Sequence, residues 1–458
     1  LRNETRLATK AYSITDQSDP DKVNHVLSYA ELRNLTPTFD WSTYLTSLAV
    51  PPTRFNVDEP EFIKNMDVVI RDMSESDRLY YFAWQLIDHV APFMGGRFEK
   101  AHFDFWGSYM TGAKAMPPRW KLCTEAAEQT LGYALAEAYE KTFDGKAIAA
   151  KTNSMIDEIK NMFVTDLQML STGAGAWIDG LTVREAIAKA QAIVRKVGGP
   201  DKFRDYSSLE VNRVSYLDNT LAITSFESKR DIAKIAKPVD KTEWQMMPWE
   251  VNAYYDRSNN EFVFPFGILQ PPSLDLEASD GANYGAFGGG TIGHELTHGF
   301  DSAGSKYDRY GNLKDWWSPT THIQFGKKAQ CYAKQASQYA IKSVNLYVDG
   351  AQTLEENLAD QGGVKLGYMV LDKILKGRPE TPPWLGRYSE RQQYWIAYAQ
   401  SWCSKPTLEA LRSQMKNDVH PPSEFRVNAV VMNRPEFAAD FKCAAGKKMA
   451  PANRCALW

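Results

Sequence analysis

His294 and His298 stand four residues apart in the stretch TIGHELTHGF, with Glu295 directly after the first. In a helix, residues four apart lie one above the other on the same face. Two imidazoles so placed can act together. On a helix they can bind one Zn²⁺ at about 2.0–2.1 Å. Glu295 then falls beside the ion, placed to take a proton from a water that the metal activates. The surroundings fit a helix: Ile292 and Leu296 can face a core, and Gly299 offers a stop or a close contact. The alternative is a polar helix that carries the pattern by chance.

A catalytic zinc usually takes three protein ligands and keeps one position open. One class of zinc protein finds its third ligand close by, in H-E-x-x-H-x-x-G-x-x-H. Here the matching positions hold Asp301 and Gly304, which excludes that class. Another class uses a glutamate on a later helix, and the segment ENLAD offers one. Its Glu356 and Asp360 are again four apart and share a helix face. One carboxylate can bind the metal, and the other can accept the second ring N–H of a ligating histidine. Acidic helix faces are usually just solvated, so ENLAD is informative only beside the paired histidines.

The remaining sequence frames this site. With 458 residues the chain is expected to form two or three packed units. Its net charge of −3 and the lack of a basic block give no reason to expect nucleic acid. No apolar run approaches the roughly 20 residues needed to span a bilayer, so no membrane contact is expected from these residues. Up to about residue 215 the periodicity predicts helices, over 76–94, 120–143, 150–170 and 182–199, the last opening on Thr182. His25, His89 and His102 lie there singly, and each reads as structural. Further on, EVNAYY and EFVFPFGIL flank the turn-rich DRSNN, which predicts a β-hairpin. Pro265 in the second arm points to an edge or irregular strand. The glycine-rich SDGANYGAFGGG reads as a loop, and after Pro319 the helical patterns return.

Five cysteines, Cys123, Cys331, Cys403, Cys443 and Cys455, form no C-x-x-C pair. They are either a few buried free thiols or the remnant of an oxidised extracellular set with partners outside this chain. Sequons at Asn3 and Asn34 arise often by chance and add little.

The sequence resembles the neprilysin family of zinc endopeptidases, which includes the endothelin-converting enzymes and secreted bacterial relatives. The matching pieces follow the family's order: VNAYY, FPFGILQPP, IGHELTHGFD, GNLKDWW, ENLAD, AQSWC, VHPPSEFRVN and the terminal NRCALW. RWKLC and the helical first part are similar more weakly. The resemblance implies a mainly α fold with a small β-sheet (α+β), in which a thermolysin-like catalytic lobe, 216–458, is capped by a helical lobe, 1–215.

Carried over by position, His294, His298 and Glu356 resemble the ligands of one Zn²⁺ per chain, and Glu295 the general base. Asp360 resembles the partner of a ligand histidine. Asn252 and Ala253 match edge-strand residues that hydrogen-bond the substrate backbone. His420 matches a histidine that stabilises the oxyanion, and Arg426 an arginine that binds a substrate carbonyl. The implied reaction is hydrolysis of oligopeptides before a hydrophobic residue. Ile268 and Trp402 match the pocket for that residue. Ser273, Gly290, Thr291 and Ser401 depart from its apolar pattern, as Glu355 departs from a common glycine. A peptide-binding protein of the same fold, or an inactive fragment, is the alternative.

The resemblance also implies a Cys331–Cys455 disulfide. It implies that partners of Cys123, Cys403 and Cys443 lie in an N-terminal segment missing here, where a membrane anchor would also sit. The implied location is extracellular or secreted, periplasmic in a bacterium.

Overall fold

A computed structural model describes residues 11–141, 145–235, 237–379 and 387–458. The Asn3 sequon lies outside the described residues. The chain divides into two compact units: Leu1–Ala134 with Arg204–Asp240, and Leu135–Phe203 with Lys241–Trp458. This differs from the division expected at residue 215, because 135–203 packs with the C-terminal unit.

The first unit is helical. Its longer helices are Pro60–Asp72, Glu75–Met94 and Tyr216–Ile232. Ser74 and Ser215 each accept a backbone N–H at the start of their helices. A two-stranded ribbon, β1 (Val26–Ser28) and β2 (Arg54–Asn56), pairs antiparallel. The helix Arg119–Glu140 breaks at Leu131 (φ −118°, ψ 25°), close to the point where the chain leaves this unit.

The second unit is built on a three-stranded sheet, order β3-β5-β4, of β3 (Val194–Gly198), β4 (Tyr254–Asp256) and β5 (Glu261–Pro265). The expected hairpin is present: β4 and β5 pair antiparallel, and the Asp256 carboxylate accepts the Ser258 and Asn259 N–H groups in the turn. Its second arm is not an edge. β5 is the buried central strand, with β3 parallel on its other side. Pro265 is tolerated because it is the last residue of that strand. The helix expected over 182–199 is half right. It runs Gly180–Ala192 from an Asp179 cap, and Val194–Gly198 then becomes β3. A smaller ribbon pairs β6 (Ala340–Ile341) with β7 (Leu346–Tyr347).

Helix Lys146–Thr172 buries Met155, Ile159, Phe163 and Leu167, a stripe four residues apart, in the main core. The glycine-rich stretch expected as a loop is helical instead. It forms a short helix Asp280–Asn283 and a π-helical segment Tyr284–Gly293, which runs straight into His294–His298. Glycines are poor helix formers in isolation. Here their lack of a Cβ permits tight packing. A Cβ on Gly285 would lie 2.0 Å from Tyr394 O, and one on Gly363 would lie 2.4 Å from Gly289 O.

Cys331 and Cys455 form a disulfide, Cα–Cα 5.7 Å. It ties the C-terminus to helix Pro319–Ser337. Beyond it, Leu457 O accepts from Trp177 Nε1, and Trp458 packs near Phe163, Trp177 and Phe325. Cys123 and Cys403 are exposed free thiols and Cys443 is half-buried, so small buried hydrophobes do not describe them. Among the described residues, no helix is long and apolar enough to cross a membrane.

Candidate metal centre

The HELTH helix, His294–His298, carries the paired histidines, and Ile292 and Leu296 anchor it, both fully buried. ENLAD opens a second helix, Leu354–Gly377. The two cross at glycines, and a Cβ on Gly293 would sit 2.7 Å from Gly363 Cα. That close approach brings three donors together. His294 Nε2 and His298 Nε2 are 3.0 Å apart, and each lies 3.4 Å from an oxygen of Glu356. His294, His298 and Glu356 form a group whose ligand atoms all lie within 4.8 Å of one another. Two imidazoles and one carboxylate suit a divalent ion such as zinc. Glu356 Oε2 is buried and accepts no hydrogen bond, although Arg426 Nη2 is 3.2 Å away. A buried carboxylate oxygen in that state suits a cation.

The far side of each imidazole is held by a carboxylate. His294 Nδ1 lies 2.9 Å from Asp360 Oδ1, and His298 Nδ1 lies 2.7 Å from Asp301 Oδ2. Both contacts direct Nδ1–H at the carboxylate and leave Nε2 facing Glu356. Asp301 was visible in the sequence only as a residue that excludes a nearby third histidine. Its position three residues after His298, at the helix exit, is the signal that identifies it as a partner.

Burial alone would depress the His298 imidazole, but Glu356 and Asp301 hold it well above the usual range. Burial would raise Glu356, yet His298 and His294 hold it well below the carboxylate range. Burial pushes the Glu295 carboxyl up, opposed by His294 and His298.

The other expected residues fall as follows. Arg426 is buried and grips Asp360 with two hydrogen bonds, 2.8 and 2.7 Å, while its guanidinium lies 3.9 Å from the Trp402 ring centroid. His420 is half-exposed. Its Nε2 is 3.4 Å from Glu356 Oε1 and its Nδ1 is 2.7 Å from Asp418 Oδ1. Asn252 is exposed and Ala253 buried, both just before β4, which lies at the sheet edge. Ile268 and Trp402 are half-buried against the main core. Glu355 sits 3.5 Å from Arg257 and 3.5 Å from Ser302 Oγ, and burial pushes its carboxyl up to about 8.

Models of peptidase family M13 match residues 252–457 and, for its N-terminal part, residues 1–200. The chain is 32% identical to an endothelin-converting enzyme homolog of Locusta migratoria over 99% of its own length and 64% of the relative's. It is 33% identical to mouse endothelin-converting enzyme 1, covering 99% of this chain and 60% of that one. The chain thus spans less than two thirds of the length of these relatives. Among solved structures, the zinc metalloprotease Zmp1 of Mycobacterium tuberculosis, in complex with an inhibitor, superimposes with TM-score 0.94 at 30% identity, over 99% of this chain and 69% of that one. PepO from Lactobacillus rhamnosis shares the fold, with TM-score 0.88 at 24% identity, over 100% of this chain and 70% of that one.

Proposed function

This chain belongs to peptidase family M13, and from that premise we propose that it is a zinc-dependent endopeptidase acting on oligopeptides. The observation that carries the proposal is the convergence of His294, His298 and Glu356 on one point, with Glu295 buried in the same helical turn. In this reading those three residues hold one zinc ion. The ion supplies Lewis-acid activation of water and of the scissile carbonyl.

The protein's own groups do the rest. Glu295 accepts a proton from the attacking water and delivers it to the leaving amine, a task suited to a carboxyl raised by burial. Asp360 and Asp301 fix the tautomers of His294 and His298. His420, half-exposed and steadied by Asp418, donates to the oxygen that gains negative charge. Asn252 and Ala253, at the start of the edge strand, hydrogen-bond an extended peptide. Arg426 holds a substrate carbonyl as well as Asp360. Ile268 and Trp402 line the pocket for a hydrophobic residue, and cleavage falls on the N-terminal side of that residue. A location outside the cytosol is supported by the Cys331–Cys455 bond, since disulfides persist in oxidising compartments.

Removal and return of the metal test this function. Cleavage of a mixed peptide library is expected to stop on chelation and to resume on adding stoichiometric Zn²⁺. Cleavage that continues in metal-free protein contradicts the proposal.

A further inference from the structure

Lys189 lies in helix Gly180–Ala192, and only 1% of its surface is exposed. Burying an ammonium is expensive unless its donors are satisfied. Nζ donates to Gly304 O at 2.7 Å and to Tyr307 O at 2.6 Å. It also lies 5.4 Å from the Phe300 ring centroid and 5.8 Å from that of Trp316, within reach of both π faces. Trp316 Nε1 donates to the same Tyr307 carbonyl.

The two carbonyls belong to the turn that follows the HELTH helix. In that turn Asp301 Oδ1 accepts the N–H groups of Ala303 and Gly304, at 2.9 and 2.7 Å. Asp301 Oδ2 meets His298 Nδ1. Gly304 therefore stands between Lys189 and Asp301, its C=O held by one and its N–H by the other. The turn is also pressed onto the helix end: a Cβ on Gly304 would lie 1.8 Å from His298 O. From the other side, the Lys189 carbonyl accepts from Asn260 Nδ2 at 3.3 Å, and Asn260 Oδ1 accepts from Tyr255 of the edge strand.

We propose that Lys189 is a positioning residue of the metal centre, fixing the 301–307 turn so that Asp301 presents its carboxylate to His298. Without the ammonium, Gly304 O and Tyr307 O would each keep one neutral donor, the Tyr307 N–H and the Trp316 Nε1–H, but would lose their charge-assisted one, and the turn would be held less firmly. Burial pulls the ammonium down to about 7, opposed by the field of Asp301 and Asp308. The lysine comes from residues 1–200, the part of the chain matched by the N-terminal family model, and no local motif there marks it for this site.

The inference rests on reading His298 as a metal ligand, and Zn²⁺ affinity of the full chain tests it, by competition with a chromophoric chelator. Partners of ligand residues typically govern affinity by 10–100-fold. Lys189→Met is expected to weaken Zn²⁺ binding at least about tenfold, and Asp301→Asn similarly. The double variant should lose little more than the worse single variant, because both act through one contact. Lys189→Gln, which keeps part of the donor capacity, should fall between. It carries the comparison if the methionine variant does not fold. A merely structural lysine would lower the melting temperature of the metal-free protein and leave Zn²⁺ affinity unchanged. Unchanged affinity in a folded variant, or full multiplication of the two single effects, overturns the proposal. Failure of the unmodified chain to bind Zn²⁺ in the same titration instead removes the metal reading itself, and this inference with it.

Discussion

Gly293 and Gly363 meet backbone to backbone where the HELTH and ENLAD helices cross, leaving 2.7 Å between a Cβ built on the first and the Cα of the second. This crossing sets the distance between the histidines and Glu356. A Cβ on Gly363 would meet Gly289 O and His294 N, both at 2.4 Å. Overpacking of this kind costs about 1–3 kcal/mol. Gly363→Ala is expected to lower stability by that amount and to weaken metal binding more than tenfold, as read by thermal melts and Zn²⁺ titration. Gly377→Ala, with open space around it, is the control and should change neither by much.

Arg426 separates two roles. Acting through Asp360, it would support His294; acting on substrate, it would lower KM. Arg426→Lys keeps the charge and loses the paired hydrogen bonds. The buried Asp360 carboxylate would then be poorly satisfied. The expected result is weaker Zn²⁺ binding together with a fall in kcat/KM. A rise in KM with unchanged metal affinity would assign Arg426 to the substrate alone.

Asp179 contributes to the acid limb of stability. It caps helix Gly180–Ala192 through the Leu181 and Thr182 N–H groups and accepts hydroxyls from Thr182, Ser318 and Thr321. Burial would raise its carboxyl, but those donors hold it well below the usual range. A depressed carboxyl contributes stability above its unfolded value of about 3.9 and loses it as pH falls through the folded value. Asp179→Asn keeps a competent cap but takes the charged acceptor away from three hydroxyls, and is expected to cost about 1–2 kcal/mol at pH 7. Denaturant unfolding from pH 7 to pH 2 should show this difference shrinking below about pH 4. A constant difference would count against the assignment.

The Cys331–Cys455 bond closes a sequence separation of 124 residues. Loops of that size give a disulfide a stabilising effect of several kcal/mol. Replacing both cysteines by serine should lower stability by about 2–5 kcal/mol. It should also expose the terminal segment, including Trp458, to limited proteolysis. Equal stability with and without reductant would refute this.

The elements that carry the site were legible in the sequence because their signals are local. His294 and His298 share a face by spacing alone, as do Glu356 and Asp360, and the β4–β5 hairpin announces itself through DRSNN. What stayed hidden depends on partners distant in sequence. Val194–Gly198 has a helix-compatible pattern and becomes a strand because β5 offers it a parallel edge. The glycines from Gly285 to Gly290 look like a loop until the backbones of Gly363 and Tyr394 are seen against them. Pro265 suggested an edge, but the strand it ends is central. Lys189 reads as one more helix-face lysine, since nothing local marks the carbonyls of Gly304 and Tyr307 as its acceptors.

The proposed function assigns proton transfer to Glu295, and Glu295→Gln tests that assignment most directly. The substitution keeps size and shape and removes the proton acceptor, while the three donors are left in place. The variant should bind one Zn²⁺ per chain, as measured by metal analysis, and cleave a peptide library at a rate lower by at least about 10²-fold. Zinc retained with cleavage undiminished would contradict the account.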